Sequence, residues 1–331
     1  MLIDIYTHIF PGDYFDRMKA ATPKLENIGQ RMQAVRPVWD MDERFRLMDA
    51  FGNYKQIVNL PNPPLEDITD AETGTMLARA ANDAMAEICL KYPDRFAGFS
   101  AALCMLDMDA AMHELHRSIR DLGACGVQIF TNVNGQPLDQ EKFDPLFEAM
   151  AEFDLPIWMH PARGSEMSDY RSEEKGRFEM WWCFGWPYET SVAMSRLVYW
   201  GLFDRYPKLK IITHHMGGMI PFFDGRVGPG MDVLGARTTD EDYSGLLNKL
   251  KKPHLEYFKN FYADTAMFGA KIGIECGLKF FGSNHTVFST DFPSAPAAET
   301  IEAVNSLDLE RKDLEIICKG NAERLLNTTF N

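Results

Sequence analysis

Eight short apolar runs, separated by stretches with helical spacing, constrain this chain more than any other feature. They lie at residues 4–8, 56–60, 95–100, 126–130, 155–160, 209–215, 260–264 and 286–291. Helical segments are predicted at residues 41–51, 69–92, 107–122, 143–153, 190–206, 271–277, 297–305 and 308–326, the last broken near Gly320. Strands alternating with helices fit an α/β fold of the parallel (β/α)8, or TIM-barrel, kind. A doubly wound sheet lacks its fingerprint here, because no Gly-x-Gly-x-x-Gly follows a strand. A length of 331 residues admits one large domain or two small ones, and the unbroken alternation reads as a single domain over 1–331. Segments 11–38, a long irregular stretch with Pro23 and Pro37, and 161–189 follow strands one and five, where barrel insertions become lids.

The formal charge of −14 argues against nucleic acid or an anionic membrane as partner, since binding phosphate requires a basic patch. The same charge repels an acidic ligand at long range, so any anion must be held by local arginine or metal charge. No apolar run approaches the roughly 20 residues of a membrane-spanning helix. No export signal is visible at the first ten residues. Cys89, Cys104, Cys125, Cys183, Cys276 and Cys318 are scattered without a Cys-x-x-Cys pair, which points to reduced thiols and a cytoplasmic location.

In a barrel the carboxyl ends of all strands share one rim, where the chemistry is kept. His8 ends strand one, His160 strand five, His215 strand six and Asp291 strand eight. Singly, each histidine reads as a hydrogen-bonded core residue. Together, imidazoles with one carboxylate suit a divalent transition metal such as Zn²⁺, with a position left for water or substrate. Alternation along strand one puts Asp4, Tyr6 and His8 on one face. By the same reasoning His214 faces away from His215 and is read as a structural hydrogen-bonding residue. The end of strand four offers Gln128, Thr131, Asn132 and Asn134 but no bridging anion, so at most one metal is expected.

The pieces around these residues carry a resemblance along nearly the whole chain. They are Asp4-Ile5-Tyr6-Thr7-His8, Trp39-Asp40-x-x-x-Arg44 before Met48-Asp49, Gly126-Val127-Gln128-Ile129, His160-Pro161 and Pro187-Tyr188-Glu189-Thr190. Further on come Phe203-x-x-x-Pro207-Lys208-Leu209-Lys210, His215-x-Gly217-Gly218, Ser289-Thr290-Asp291-Phe292-Pro293 and Asn321-Ala322-x-Arg324-Leu325-Leu326. In this order they resemble the amidohydrolase-superfamily (amidohydrolase 2) branch typified by aminocarboxymuconate-semialdehyde decarboxylase, which also holds resorcylate-type decarboxylases and some hydratases.

The resemblance implies a distorted TIM barrel and one divalent metal. It makes His8 and His160 metal ligands, and Asp291 a ligand or an acid/base. His215 becomes the proton-transfer residue or a further ligand, and Arg44 the grip on a substrate carboxylate. The chain departs from the branch at strand one, where His-x-His or Glu-x-His is usual and Tyr6-Thr7-His8 stands instead. A protonated tyrosine is a poor ligand, its reference pKa being about 10. Tyr6 is therefore read as filling the pocket and donating a hydrogen bond to substrate, with phenolate ligation to a nearby dication as the alternative.

The expected activity is a metal-dependent, non-oxidative decarboxylation of an aromatic or unsaturated carboxylic acid, without an organic cofactor. Zinc is the first choice of metal and manganese the alternative. His215 or Asp291 would deliver the proton to carbon. Two other readings stand beside it: a hydrolase or hydratase using metal-bound hydroxide, and a metal-free homologue that lost its first-strand ligand. Arg163, Trp181, Trp182 and Trp186 in segment 161–189 fit either a lid over a flat anionic ring or the contact of a homodimer.

Overall fold

All eight predicted runs become strands of one parallel barrel in the computed structural model, which describes residues 1–22 and 28–330. Strand β1 (Leu2–His8) pairs with β2 (Tyr54–Asn59), and β2 with β3 (Phe96–Phe99). The third run then changes neighbours. The Ser100 N–H bonds back to the Val58 carbonyl, whereas that of Ala101 bonds forward to Gly126. Its end, β4 (Ala101–Ala102), thus opens a second sheet. β5 (Val127–Phe130) follows, with the hairpin of β6 (Asn132–Val133) and β7 (Gln136–Pro137) branching off after it. β8 (Pro156–His160), β9 (Lys210–Thr213), β10 (Tyr262–Asp264) and β11 (Thr286–Val287) complete the order. The last run closes on the first, with the Ile5 N–H donating to the Phe288 carbonyl at 3.0 Å and that of His8 to Phe292 at 2.7 Å.

Ile3, Ile5, Ile57, Trp158, Ile212 and Val287 form one buried apolar cluster. They come from strands one, two, five, six and eight, which can meet only inside the barrel. The indole of Trp158 spans that interior and donates to the Ile5 carbonyl at 2.8 Å. A larger cluster lies between barrel and helices. Three helices start where an aspartate accepts from a first-turn amide: Asp40 before Met41–Met48, Asp70 before Ala71–Lys91 and Asp107 before Met108–Arg120. Among the described residues no helix is long and apolar enough to cross a membrane.

Three local departures from the sequence reading bear on the site. β1 carries a bulge: Asp4 pairs with Gln56 but Thr7 with Val58, so one extra residue sits in β1 and period two fails there. Asp4 consequently leaves the face of Tyr6 and His8 and bonds Tyr54 and Thr290, both at 2.5 Å. Strand six stops at Thr213, because His215 and Met216 turn into the left-handed region at φ 53°. Segment 11–38, expected to be irregular, holds helices Tyr14–Ala21 and Ile28–Ala34 among its described residues; Pro23 lies outside them.

Arg44 overturns its expected role. Its side chain is fully buried behind β1 and its N–H groups are used: Nε to Gln56 Oε1 at 2.8 Å, Nη1 to the His8 carbonyl at 2.8 Å, and Nη2 to Thr7 Oγ1 at 3.2 Å. It fixes the end of β1 and cannot reach a ligand. Arg44→Ala would strand those acceptors in the dry interior, at a cost of about 3–5 kcal/mol. Chemical denaturation should show that loss, and a variant as stable as the wild type would contradict this placement.

Candidate active site

The bulge aims Tyr6 and His8 together at the carboxyl mouth of the barrel. β8 brings His160 to the same place. The register of β8 with β9 pairs Trp158 with Ile212 and Met159 with Thr213, so the next residue pair is His160 and His214. The four rings converge: centroids lie 5.2 Å apart for His8 and His160, 5.1 Å for His160 and His214, 6.1 Å for His8 and His214, and 4.2 Å for Tyr6 and His214. The imidazoles of His8, His160 and His214 are buried and each brings a nitrogen within 4.8 Å of the others. Asp291, left-handed at φ 60°, turns its carboxylate into the group. Its Oδ1 lies 2.9 Å from His8 Nε2 and 3.4 Å from His214 Nε2.

The outward nitrogens are tied to the protein. His160 Nδ1 donates to the Pro161 carbonyl at 2.8 Å, with the Asn62 side-chain amide 3.0 Å away. His214 Nδ1 donates to Asp264 Oδ2. Fixing one ring nitrogen as a donor leaves the other with a free lone pair, the arrangement that presents histidine to a metal. Among the described residues, buried His8 Nδ1, His214 Nε2 and the Tyr6 hydroxyl have no hydrogen-bond partner. Leaving such groups unmet costs about 1–3 kcal/mol each. Unpartnered imidazole nitrogens gathered beside a buried carboxylate are the kind of donor set that a divalent transition metal takes. The residues present fit a divalent cation.

Burial and charge shape the protonation states. Burial pushes the His214 imidazole down, but Asp264 and Asp291 outweigh it and raise the group to about 10, so Nε2 carries a proton that a bound cation would displace. Burial pushes Asp291 up, but the imidazoles of His214 and His8 outweigh it and hold the carboxyl below its ordinary range. His160 is driven well down by burial and its histidine neighbours. Tyr6 is driven well up by burial and by Asp264 and Asp291, so its phenol keeps its proton.

Above the cluster lies a cavity of about 190 Å³. His8, His160 and Asp291 form its floor, and Trp181, Trp182, Trp186 and Phe268 line it. An apolar cavity of about 150 Å³ accommodates benzene, so this one suits a single substituted ring. Ile28, Arg31 and Met32, from the helix after strand one, also border it.

The sequence-predicted residues divide accordingly. His8, His160, Asp291, Tyr6 and Trp186 meet at the mouth. His215 does not line this cavity. It borders a smaller one behind Trp182, Trp186 and Phe268, donates from Nδ1 to the Ala266 carbonyl at 2.6 Å, and stacks on His214 with centroids 3.9 Å apart. His214, expected to be structural, takes the central place. Arg163 pairs with Glu189 at 2.8 Å and accepts from Trp186 Nε1 through its carbonyl at 3.2 Å, so it holds an indole and leaves ligand contact to others. Sequence reasoning missed Asn62, Asp264, Phe268 and Arg31. Arg31 is the only arginine or lysine lining the cavity among the described residues. No local motif marks these four, since each is placed by tertiary contacts.

Fold and site together define a TIM-barrel enzyme with a histidine-rich centre suited to a metal ion. The family model described as amidohydrolase matches residues 3–328, and the chain belongs to that family. It is 34% identical over 294 residues to gamma-resorcylate decarboxylase of Polaromonas sp., with 86% of each chain covered. It is 26% identical to 2-amino-3-carboxymuconate-6-semialdehyde decarboxylase of Dictyostelium discoideum, covering 99% of this chain and 92% of the other. Among solved structures, 5-carboxyvanillate decarboxylase of Novosphingobium aromaticivorans, complexed with manganese and 4-hydroxy-3-methoxy-5-nitrobenzoic acid, superposes with a TM-score of 0.85 at 26% identity, covering 99% and 96%. 2,6-Dihydroxybenzoate decarboxylase complexed with 2,6-dihydroxybenzoate gives 0.81 at 27% identity, covering 98% of each. These relatives are carboxy-lyases, as the resemblance in the sequence implied.

If the cluster binds an ion, His160→Ala should lower Mn²⁺ or Zn²⁺ affinity at least about 100-fold, since loss of an outer partner alone costs 10–100-fold. Titration calorimetry on chelator-treated protein reads this directly. Unchanged affinity would remove His160 from the site.

Proposed function

We propose that the chain removes CO₂ non-oxidatively from an aromatic carboxylic acid with the help of one divalent metal ion. The observation that carries this reading is a cavity of one-ring size whose floor is His8, His160 and Asp291 and whose wall is indole. His8, His160 and Asp291 would hold the ion, which when bound supplies Lewis-acid stabilisation of a substrate oxygen. Zinc suits the nitrogen-rich donor set, and the manganese in solved relatives supports the alternative.

The remaining work belongs to side chains. Trp181, Trp182, Trp186 and Phe268 stack on the ring and exclude water, which strengthens every charge interaction at the floor. Arg31 offers positive charge to an entering anion, the role expected of Arg44 and Arg163. Loss of CO₂ leaves the bonding electron pair on the ring carbon, where a proton must be delivered. Asp291 faces the cavity beside His8, and its carboxylate, held ionised by the imidazoles, would take the proton of a ring hydroxyl of the substrate and pass it to that carbon. His215, behind the aromatic wall, orients His214 instead. The exposed rings of Tyr170, Phe178, Phe184 and Tyr188 on the same insertion support a homodimer.

The test is product analysis with protein reloaded with Zn²⁺ or Mn²⁺ and offered 2,6-dihydroxybenzoate and other hydroxybenzoates carrying a ¹³C-labelled carboxyl. Labelled CO₂ or bicarbonate is expected, whereas a product that has gained water and kept its carboxyl overturns the decarboxylase in favour of a hydratase. Trp186→Ala should raise KM about tenfold, which corresponds to about 1.4 kcal/mol of lost ring contact. An unchanged KM would remove Trp186 from the substrate wall.

A further inference from the structure

We propose that His214 is itself a metal ligand, completing a four-donor set with His8, His160 and Asp291. This rests on the metal reading above and names a donor that reading does not require. The sequence pattern pointed to His215, and the geometry points to its neighbour.

The His214 ring is fixed on every side but one. Tyr6 lies 4.2 Å from it at 36°, and His215 lies 3.9 Å from it at 23°. Two near-parallel rings at such distances cannot share a face, so His214 is clamped between them. Its Nδ1 edge is held by Asp264, whose other oxygen accepts the His215 backbone N–H at 2.9 Å and that of Ala266 at 3.1 Å. The carboxylate is thus pinned by the chain it orients. Only Nε2 remains, buried and unpartnered, 3.4 Å from Asp291 Oδ1 and facing His8 and His160. A fully buried imidazole with one nitrogen committed to a carboxylate and the other aimed at two more imidazoles is a preorganised ligand. His214, His215 and Asp264 also lie close enough to suggest a second metal group, but their contacts already bind them to one another. They are the frame that holds His214.

Asp264 is a positioning residue in this arrangement, and Tyr6 is the platform under the His214 ring. The position of Tyr6 two residues before His8 therefore strengthens the centre without contributing a donor.

The experiment counts coordinated nitrogens by pulsed EPR on protein stripped with chelator and reloaded with Mn²⁺. Three imidazole nitrogens are expected in the unmodified protein and two in His214→Ala. A count of two in the unmodified protein, with CO₂ release intact, overturns the assignment and leaves the decarboxylase standing. Failure to bind Mn²⁺ at all overturns both. Asp264→Asn tests the positioning: Mn²⁺ affinity should fall about 10–100-fold with the count still at three. Unchanged affinity would refute the role given to Asp264, and the count in the unmodified protein needs no variant to fold.

Discussion

Closure of the barrel between its first and last strands is the contact on which the site depends. Ser289 Oγ donates to the Tyr6 carbonyl across 283 positions of sequence, and the Thr290 N–H donates to Asp4 Oδ1 at 3.1 Å. Asp4 is wholly buried, and burial raises its carboxyl to about 7 despite the hydrogen bonds from Thr290 and Tyr54. A group so costly to bury is kept where it ties strands one, two and eight together. That closure sets His8 beside Asp291, and without it the two residues would share only a composition.

Each inward group at the mouth is held from behind by another polar group. Arg44 bonds the His8 carbonyl, the Pro161 carbonyl fixes the His160 tautomer, and Asp264 fixes that of His214. Even the apolar wall follows the rule, since the Arg163 carbonyl orients Trp186 while its guanidinium is neutralised by Glu189. Such support narrows the positions open to each donor, which is what precise placement of reacting groups requires. It also explains why arginines that read as ligand grips in the sequence belong to the scaffold. A guanidinium that can satisfy several backbone carbonyls is as useful behind a strand as in front of it.

The alternation of strands and helices made the barrel legible, and with it the rim that collects His8, His160 and Asp291. What stayed hidden was phase. Period two describes a regular strand, and the bulge in β1 and the left-handed turn at His215 both break that regularity. Whether His214 or His215 points inward depends on where strand six stops and on its register with strand five. Those are tertiary facts, and Trp158 opposite Ile212 is the pair that settles them. Arg31 was invisible for another reason. It belongs to a short helix in an insertion whose sequence offered prolines and no clear periodicity, and only packing brings it to the cavity.

The charge of the chain makes one further point about the centre. At a net charge of −14 the protein repels an approaching carboxylate, and Glu179 and Asp291 add negative charge to the cavity itself. Arg31 is the one cation lining the cavity among the described residues, and it is exposed to solvent, where a single pair contributes at most about 1 kcal/mol. A dication bound at the floor would offset the carboxylates of Asp291 and Asp264 in a setting from which indoles exclude water. There an attraction is screened far less than at the surface. The charge that admits an anionic substrate and the charge that stabilises its reaction would then be the same, which is why the aromatic wall and the histidine floor have to occur together.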